Sequence, residues 1–519
     1  MSSAPALNSS RPTPLASARQ KTTPENPRPT PSFFPFRLGP VLLTPVVLLV
    51  HGYHTFAGDA GIYVAGVRHI LDPSLYPLNA AFPAAFTKLS IFPWTMAAIV
   101  RLSHLPLSWI LLACHLLSIL LFLAACQQLA DRLFTSSPAR WSSLLLAAAC
   151  FTLPVAGTAL LIMDPYVTAR SFSTPLSLMA VATSIDRAWL RAILLLLLTA
   201  LIHPLMAAYA VALVVLQALI ASGRIRLAVG LCTAIIAVCG AAFAFAHRMK
   251  ISPAYRQAVS LPPRSFLFLA RWHWYEVLGL VLPLLLLALA LRRFGPASRA
   301  GTLCLACLLT GTTSTATAAA FVPPVGPYLL VPLQLLRSFL LIYALGTVLS
   351  GAILAALVVR SRMAAISLVV LLFAGMFAAQ RFAWAGSRHI EWPGYSPANP
   401  YQQAFLWVRD HTPRDAVFAF NPRLDYLSEE DEQGFRAISL RDHLADDKDA
   451  GIAAVIPGLA DRWALQRNAE LNVDRMTDAQ RGAVLAPLGA TWLLLPPSAA
   501  TELLCPWSNA AVKICRLTR

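Results

Sequence analysis

Residues 191–221 read RAILLLLLTALIHPLMAAYAVALVVLQALIA, and the way this stretch divides settles the topology of everything that follows it. Its 31 residues exceed the roughly 20 that one membrane span needs. His203-Pro204 interrupts the run, and Pro removes a backbone donor that the next turn would use. The spacing predicts two short half-crossing helices, 191–202 and 205–221, bent at His203, as broken helices do where they line a cavity.

Outward from that break, apolar runs recur at about 41–56, 107–130, 141–163, 171–185, 227–246, 275–291, 300–322, 335–358 and 364–380. Hydrophobic residues make up 57% of the chain and charged residues 13%, with a mean hydropathy of +0.63. These values place it among polytopic membrane proteins. Basic clusters Arg132/Arg140, Arg187/Arg191, Arg224/Arg226, Arg292/Arg293/Arg299 and Arg360/Arg362 alternate with polar loops. By the excess of Lys and Arg on cytoplasmic loops, eleven segments put the N-terminus inside and the C-terminus outside.

The pI near 9.9 does not indicate nucleic acid. Residues 1–381 carry 27 Lys/Arg against 7 acids, whereas residues 382–519 carry 14 against 17, so the excess follows the membrane loops. No nucleic-acid-binding motif accompanies it. Residues 1–37, with eight Pro and five basic residues, read as a disordered cytoplasmic tail. Residues 38–381 form the membrane domain, with a first outer loop at 57–106. Residues 382–519 have the composition of a soluble α/β domain: a helix over Tyr401–His411 and strands over Ala416–Phe420, Ala437–Leu440, Thr491–Leu495 and Ala511–Cys515. Cys505 and Cys515 are the only cysteines outside the apolar runs, and spacing leaves their pairing open. The fold class is therefore mainly α, a polytopic transmembrane helical bundle of about 11 spans with a small C-terminal extracytoplasmic α/β domain.

An ionisable group within such a bundle is costly unless it pairs, faces water or does chemistry. Between Leu38 and Arg381 there are only six acids, Asp59, Asp72, Asp131, Asp164, Asp186 and Glu276. Asp131 and Asp186 adjoin Arg132 and Arg187 on the cytoplasmic side, while the other four fall outside. Asp72-Pro73 reads as a turn start. In Gly58-Asp59-Ala60-Gly61-Ile62-Tyr63 through Arg68, a helix would let an acid, a phenol and a cation border one cavity, or would simply lie in the interface.

Asp59 and Tyr63 in the first outer loop, Phe92-Pro93-Trp94, Met163-Asp164-Pro165-Tyr166 and the broken 191–221 unit together resemble the GT-C superfamily of membrane glycosyltransferases, which includes protein O-mannosyltransferases and aminoarabinose transferases. The family's motif has a Glu after the Asp, where this chain has Ala60. The resemblance implies transfer of a sugar from a polyprenyl-phosphate donor to an acceptor outside a bilayer, such as a bacterial cytoplasmic (inner) membrane. It implies Asp59 as the base, with Asp164 orienting the acceptor or sharing an optional divalent cation with Asp59. It also implies Tyr63, Arg68, Arg170, His203, Arg256, Arg264 and Arg271 as substrate-binding residues, the last five of them toward the lipid phosphate.

Plainer roles stand beside these. Arg170 bridges Asp164, His203 caps freed carbonyls, and Arg271-Trp272-His273-Trp274-Tyr275 forms an interfacial belt. A transporter or flippase, or a noncatalytic partner in envelope polysaccharide assembly, are the alternative functions. The orientation predicts that a phosphatase fused to the C-terminus is active and a fluorescent protein fused there is dark. The reverse result would put residues 382–519 in the cytoplasm.

Overall fold

A computed structural model describes residues 36–358, 361–424 and 434–517, so the expected tail lies almost wholly outside the described residues. In chain order the membrane portion comprises α1 (Gly39–His51), α2 (Asp59–Leu71), α3 (Phe92–Ser103), α4 (Leu107–Leu133), α5 (Ser137–Ala149), α6 (Arg170–Ile185), α7 (Trp189–Ile202), α8 (Pro204–Ala221), α9 (Ile225–Ala246), α10 (Pro253–Ser260), α11 (Trp274–Phe294), α12 (Arg299–Phe321), α13 (Phe339–Val358) and α14 (Arg362–Ala383). Among the described residues, α4, α8, α9, α11, α12, α13 with its preceding turn, and α14 are long and apolar enough to cross a membrane. α1 and α7 are shorter apolar helices. Leu197, Val238, Leu285 and Leu371 point outward and are more than half exposed, which suits a lipid-facing surface.

The two ends of the bundle are chemically distinct. At one, Arg132 pairs with Asp186 at 2.7 Å, Arg299 reaches the same carboxylate at 3.5 Å, and Arg140 meets Asp131 at 3.3 Å. Phe36, at the described start of the chain, lies there too, its ring 5.2 Å from that of Trp141. The C-terminal domain sits at the opposite end. Among the described residues, α2 and α10 are additional helices that pack against the C-terminal domain.

Two sequence expectations change in detail. α7 and α8 are not half-crossing: Ile202 accepts a hydrogen bond from Ser90 near the C-terminal-domain end, whereas Gln217 of α8 accepts one from Ser184 near the far end. The pair is a hairpin whose members are about 21 and 27 Å long at 1.5 Å per residue, with Pro204 opening α8 where no donor is lost. The run 141–163 is not one helix either. α5 stops at Ala149, and Cys150–Ala169 folds as an irregular buried segment around a bridge between Pro154 and Leu161. Pro154 ends helical pairing, and local bonds such as Val155 N to Leu160 O and Met163 N to Phe151 O satisfy the backbone.

The C-terminal domain contains α15 (Pro400–His411), β1 (Val417–Phe420), α16 (Phe435–Ser439), β2 (Asp442–His443), α17 (Asp449–Val455), α18 (Ala460–Glu470), α19 (Asp478–Leu485), β3 (Trp492–Leu495), β4 (Trp507–Ser508) and β5 (Lys513–Arg516). The sheet order is β2-β1-β3-β5-β4, parallel across β2-β1-β3 and antiparallel beyond. The strand expected at Ala437–Leu440 is helix, because Phe435 and Ile438, one helical turn apart, both pack into the core against β1. Cys505 and Cys515 form a disulfide.

This domain rests on the segment between α1 and α4 through polar contacts as well as apolar ones, Phe82 meeting Trp463. Leu78 N and Asn79 N donate to Asp442 Oδ2 at 2.9 and 2.7 Å, and Tyr76 Oη donates to Arg436 O. Asp72 caps Ser74 and pairs with Arg414. Beneath lies a buried ionic network in which Arg436 holds Asp449 at 3.0 Å and Asp442 at 3.4 Å. Asp446, on the same loop, is pushed up to about 7 by burial and by the neighbouring Asp449 charge.

The folded state therefore keeps a proton on Asp446 that the unfolded chain has lost above about pH 4. That group's contribution makes stability fall as pH rises from about 4 to 7 and level off above. Thermal unfolding of the detergent-purified chain across this range is expected to show the fall, with Asp446→Asn weakening it. Identical pH dependence in the two proteins would remove this assignment.

Candidate functional site

The end of α1 fixes the site's first member. Gly52 turns the chain at φ +75°, where a Cβ would meet His389 O, and Tyr53 then pairs with the linker after α14. Glu391 in that linker accepts Thr55 N at 2.8 Å. Gly58, at φ +54°, has its Cα face against the Tyr166 hydroxyl, where any side chain would collide. α2 consequently begins at Asp59, whose carboxylate is held at the mouth of the bundle.

Arg170, the first residue of α6, reaches back to that carboxylate. Its Nη1 lies 2.8 Å from Asp59 Oδ2 and its Nη2 3.0 Å from Asp164 Oδ2, which the irregular segment after α5 supplies. Arg170 and Asp164 are buried, whereas the Asp59 side chain is 31% exposed. The second Asp59 oxygen forms an ion pair with Lys448 Nζ at 3.0 Å, so a residue of the C-terminal domain completes the cluster. Burial alone would raise the Asp59 carboxyl, but Lys448 and then Arg170 override it and hold the group well below the usual carboxylate range. For Asp164 burial prevails over Arg170 and the shift is upward.

These groups border a cavity of about 420 Å³ between the bundle and the C-terminal domain. Tyr63, His203, Arg264 and Arg337 share its wall with Asp59, Arg170 and Lys448, and the remainder is largely apolar, including Leu205, Phe266 and Ile452. A crevice of about 40 Å³ between Ser142 and Phe373 has no ionisable lining. Arg264 donates to the carbonyls of Asp447 and Lys448, both at 3.1 Å, tying the roof to the loop before α11. Arg337, in the short turn before α13, stacks 4.6 Å over Phe266. Among the described residues no carboxylate pairs with it, and its Nε makes no hydrogen bond. His203 Nδ1 accepts Met206 N at 3.4 Å, the capping role, while its ring also faces the cavity.

Of the residues singled out from sequence, Asp59, Tyr63, Arg170, His203 and Arg264 therefore meet at one cavity, and Asp164 stands directly behind Arg170. Arg68, Arg256 and Arg271 do not line it. Arg68 lies more than two turns along α2 from Asp59 and is influenced by Tyr76, Arg256 is exposed on α10, and Arg271 donates to Ser260 O while stacking on Phe268. Ala60 is fully buried, so its position lends nothing to the cavity. Asp59 and Asp164, the two candidate oxygen ligands, share a guanidinium, and among the described residues no group of three or more His, Cys, Asp or Glu is placed to hold a metal.

Sequence reasoning passed over Arg337 and Lys448. Arg337 stood inside an apolar run, where an unpartnered cation is itself a signal. Lys448 lay in Asp446-Asp447-Lys448-Asp449, which reads as solvated surface.

No protein-family model and no curated protein matches this sequence. Among solved structures, the archaeal oligosaccharyltransferase AglB from Archaeoglobus fulgidus, in complex with an inhibitory peptide and a dolichol-phosphate, matches with a TM-score of 0.50 at 11% identity. The match covers 89% of this chain and 69% of that one. The fold is GT-C-like. At 89% of this chain, that likeness extends beyond the bundle into the C-terminal domain.

Removing the central cation tests how the cluster is held. Arg170→Leu leaves two carboxylates facing each other in a poorly solvated place, a change expected to cost about 3–5 kcal/mol. A lower thermal midpoint than that of Arg170→Lys in detergent would show it, and equal midpoints would not fit the shared guanidinium.

Proposed function

We propose that this chain is a membrane glycosyltransferase that takes a sugar from a polyprenyl-phosphate-linked donor at the cavity beneath the C-terminal domain. The observation that carries this reading is the cation-rich wall, above all Arg337, which has no counter-ion among the described residues. The solved AglB structure with a GT-C-like fold was obtained with a dolichol-phosphate, which supports the same class of lipid here.

Arg170, Arg264, Arg337 and Lys448 face Asp59 and, behind it, Asp164, while Asp447 at the roof is matched by Arg467 at 2.7 Å. Of these cations, Arg337 has no counter-ion among the described residues. A sugar-phosphate-lipid diester carries one negative charge, and the departing phosphate monoester carries about 1.5 to 2. Negative charge therefore grows beside Arg337 as the bond breaks, and a cation aimed at developing charge is the condition for stabilising a transition state.

In the reaction the bond between the anomeric carbon and the phosphate oxygen breaks, and its electron pair leaves with the lipid phosphate. An acceptor hydroxyl supplies the new bond to carbon, and its proton passes to Asp59. Tyr63, buried between Phe86 and Phe92 with its ring along the cavity wall, shapes the space beside Asp59. The disulfide in the C-terminal domain suits an oxidising compartment, in agreement with an extracytoplasmic site on a bacterial inner membrane.

Proteoliposomes supplied with polyprenyl-phosphate-linked sugar and acceptor test the proposal. Asp59→Asn is expected to lower turnover by about 10²–10⁴ while still binding lipid phosphate. Arg337→Ala is expected to weaken donor binding by about 10- to 100-fold, the loss of a charge-assisted hydrogen bond. Wild-type protein that consumes no lipid-linked sugar would refute it.

A further inference from the structure

The contacts of Asp59 differ sharply in how easily they can be given up. Arg170 is fixed: it is buried, its other arm is bound to Asp164, and its backbone N–H is capped by Thr168 Oγ1. Lys448 reaches Asp59 Oδ1 from the other domain on a flexible four-carbon stem, and it lines the same cavity as Arg264 and Arg337. Its backbone is anchored on both sides. Asp447 is clamped by Arg467 at 2.7 Å, Asp449 by Arg436 at 3.0 Å, and the Lys448 carbonyl accepts from Arg264. The ammonium can therefore change partner by rotating its side chain, with no movement of the loop.

We propose that the donor phosphate and Asp59 compete for the Lys448 ammonium, so that donor entry transfers Lys448 to the phosphate and frees Asp59 Oδ1 for the acceptor. This rests on the glycosyltransferase reading and adds an order of events to it. An anion drawn in by Arg264 and Arg337 arrives beside Lys448, where its charge competes with that of the carboxylate. Once Lys448 has moved, Asp59 retains only Arg170. One oxygen is then open to accept a hydrogen bond, and the carboxylate is a stronger base than when doubly paired. An acceptor that arrives first meets a carboxylate with both oxygens engaged, which favours transfer to the acceptor over premature reaction and makes binding ordered, donor before acceptor.

Undecaprenyl phosphate titrated into the full-length protein in nanodiscs tests the competition without requiring turnover. Asp59→Asn is expected to bind it about five- to tenfold more tightly than wild type, because the internal competitor is gone, and Lys448→Gln about tenfold more weakly. In the Lys448→Gln background, Asp59→Asn is expected to have no further effect, and Lys448→Arg is expected to bind as well as wild type. If Asp59→Asn tightens binding equally in both backgrounds, the effect is general charge in the cavity and the competition is wrong. Unchanged binding in Asp59→Asn would also overturn it while leaving the donor reading intact. Failure of wild-type protein to bind undecaprenyl phosphate would overturn the donor reading and, with it, this one.

Discussion

A guanidinium held between two carboxylates organises this protein. Arg170 begins α6, Asp59 begins α2, and Asp164 lies in the irregular segment that follows α5, so three separate parts of the chain are fixed to one point by two contacts of 2.8 and 3.0 Å. None of these groups is stable alone in such a place. A buried charge costs several kcal/mol unless paired and hydrogen-bonded, and the early end of α5 at Ala149 is what brings Asp164 within reach. Gly58 does the same for Asp59 by allowing a turn that no residue with a side chain would fit.

The C-terminal domain is tied to this point by charge as well as by apolar packing, in which Phe82 and Leu261 meet Ile452 and Trp463. Its loop 446–449 carries Lys448 into the cavity and buries the flanking carboxylates against Arg436 and Arg467. The first outer loop, through Tyr76, Leu78 and Asn79, is bonded to the same part of the domain. The roof of the cavity is thus referenced to the outer loop that bears Asp59, so the distance between Asp59 and Lys448 is set by a short, stiff path. A domain free to move on its linker would not hold a 3.0 Å ion pair across the gap.

Much of this was legible in the sequence, for identifiable reasons. Apolar runs and the scarcity of acids in them report the solvent, which is why the helical bundle and a short list of six acids emerge from composition, while the choice of Asp59, Asp164 and Arg170 came with the family resemblance. His203-Pro204 was rightly read as a break, but whether a break makes a kink or a hairpin depends on partners distant in sequence, Ser90 at one end and Ser184 at the other. The run 141–163 looks continuous because Pro154 and Gly157 are its only punctuation and the irregular segment is largely apolar. The short helix at Phe435–Ser439 looks like a strand because four or five buried residues in a row have no period. Lys448 was invisible because a lysine between aspartates in a soluble domain carries no mark of the cavity it enters.

In the proposed reaction the cluster also resolves a conflict built into the chemistry. A carboxylate beside a departing phosphate is repelled by the charge that develops there, so it needs cations to be present at all, yet those cations weaken it as a base. A fixed arginine together with a movable lysine meets both demands. Arg170 supplies the permanent charge that keeps Asp59 ionised, and Lys448 supplies a charge that the phosphate itself can draw away as it arrives. A second cation held as firmly as Arg170 would leave the carboxylate occupied on both oxygens throughout, and an apolar residue in place of Lys448 would leave the incoming phosphate one cation short. The pairing of one rigid and one mobile cation on a single carboxylate is therefore the feature of the site that its proposed chemistry most requires.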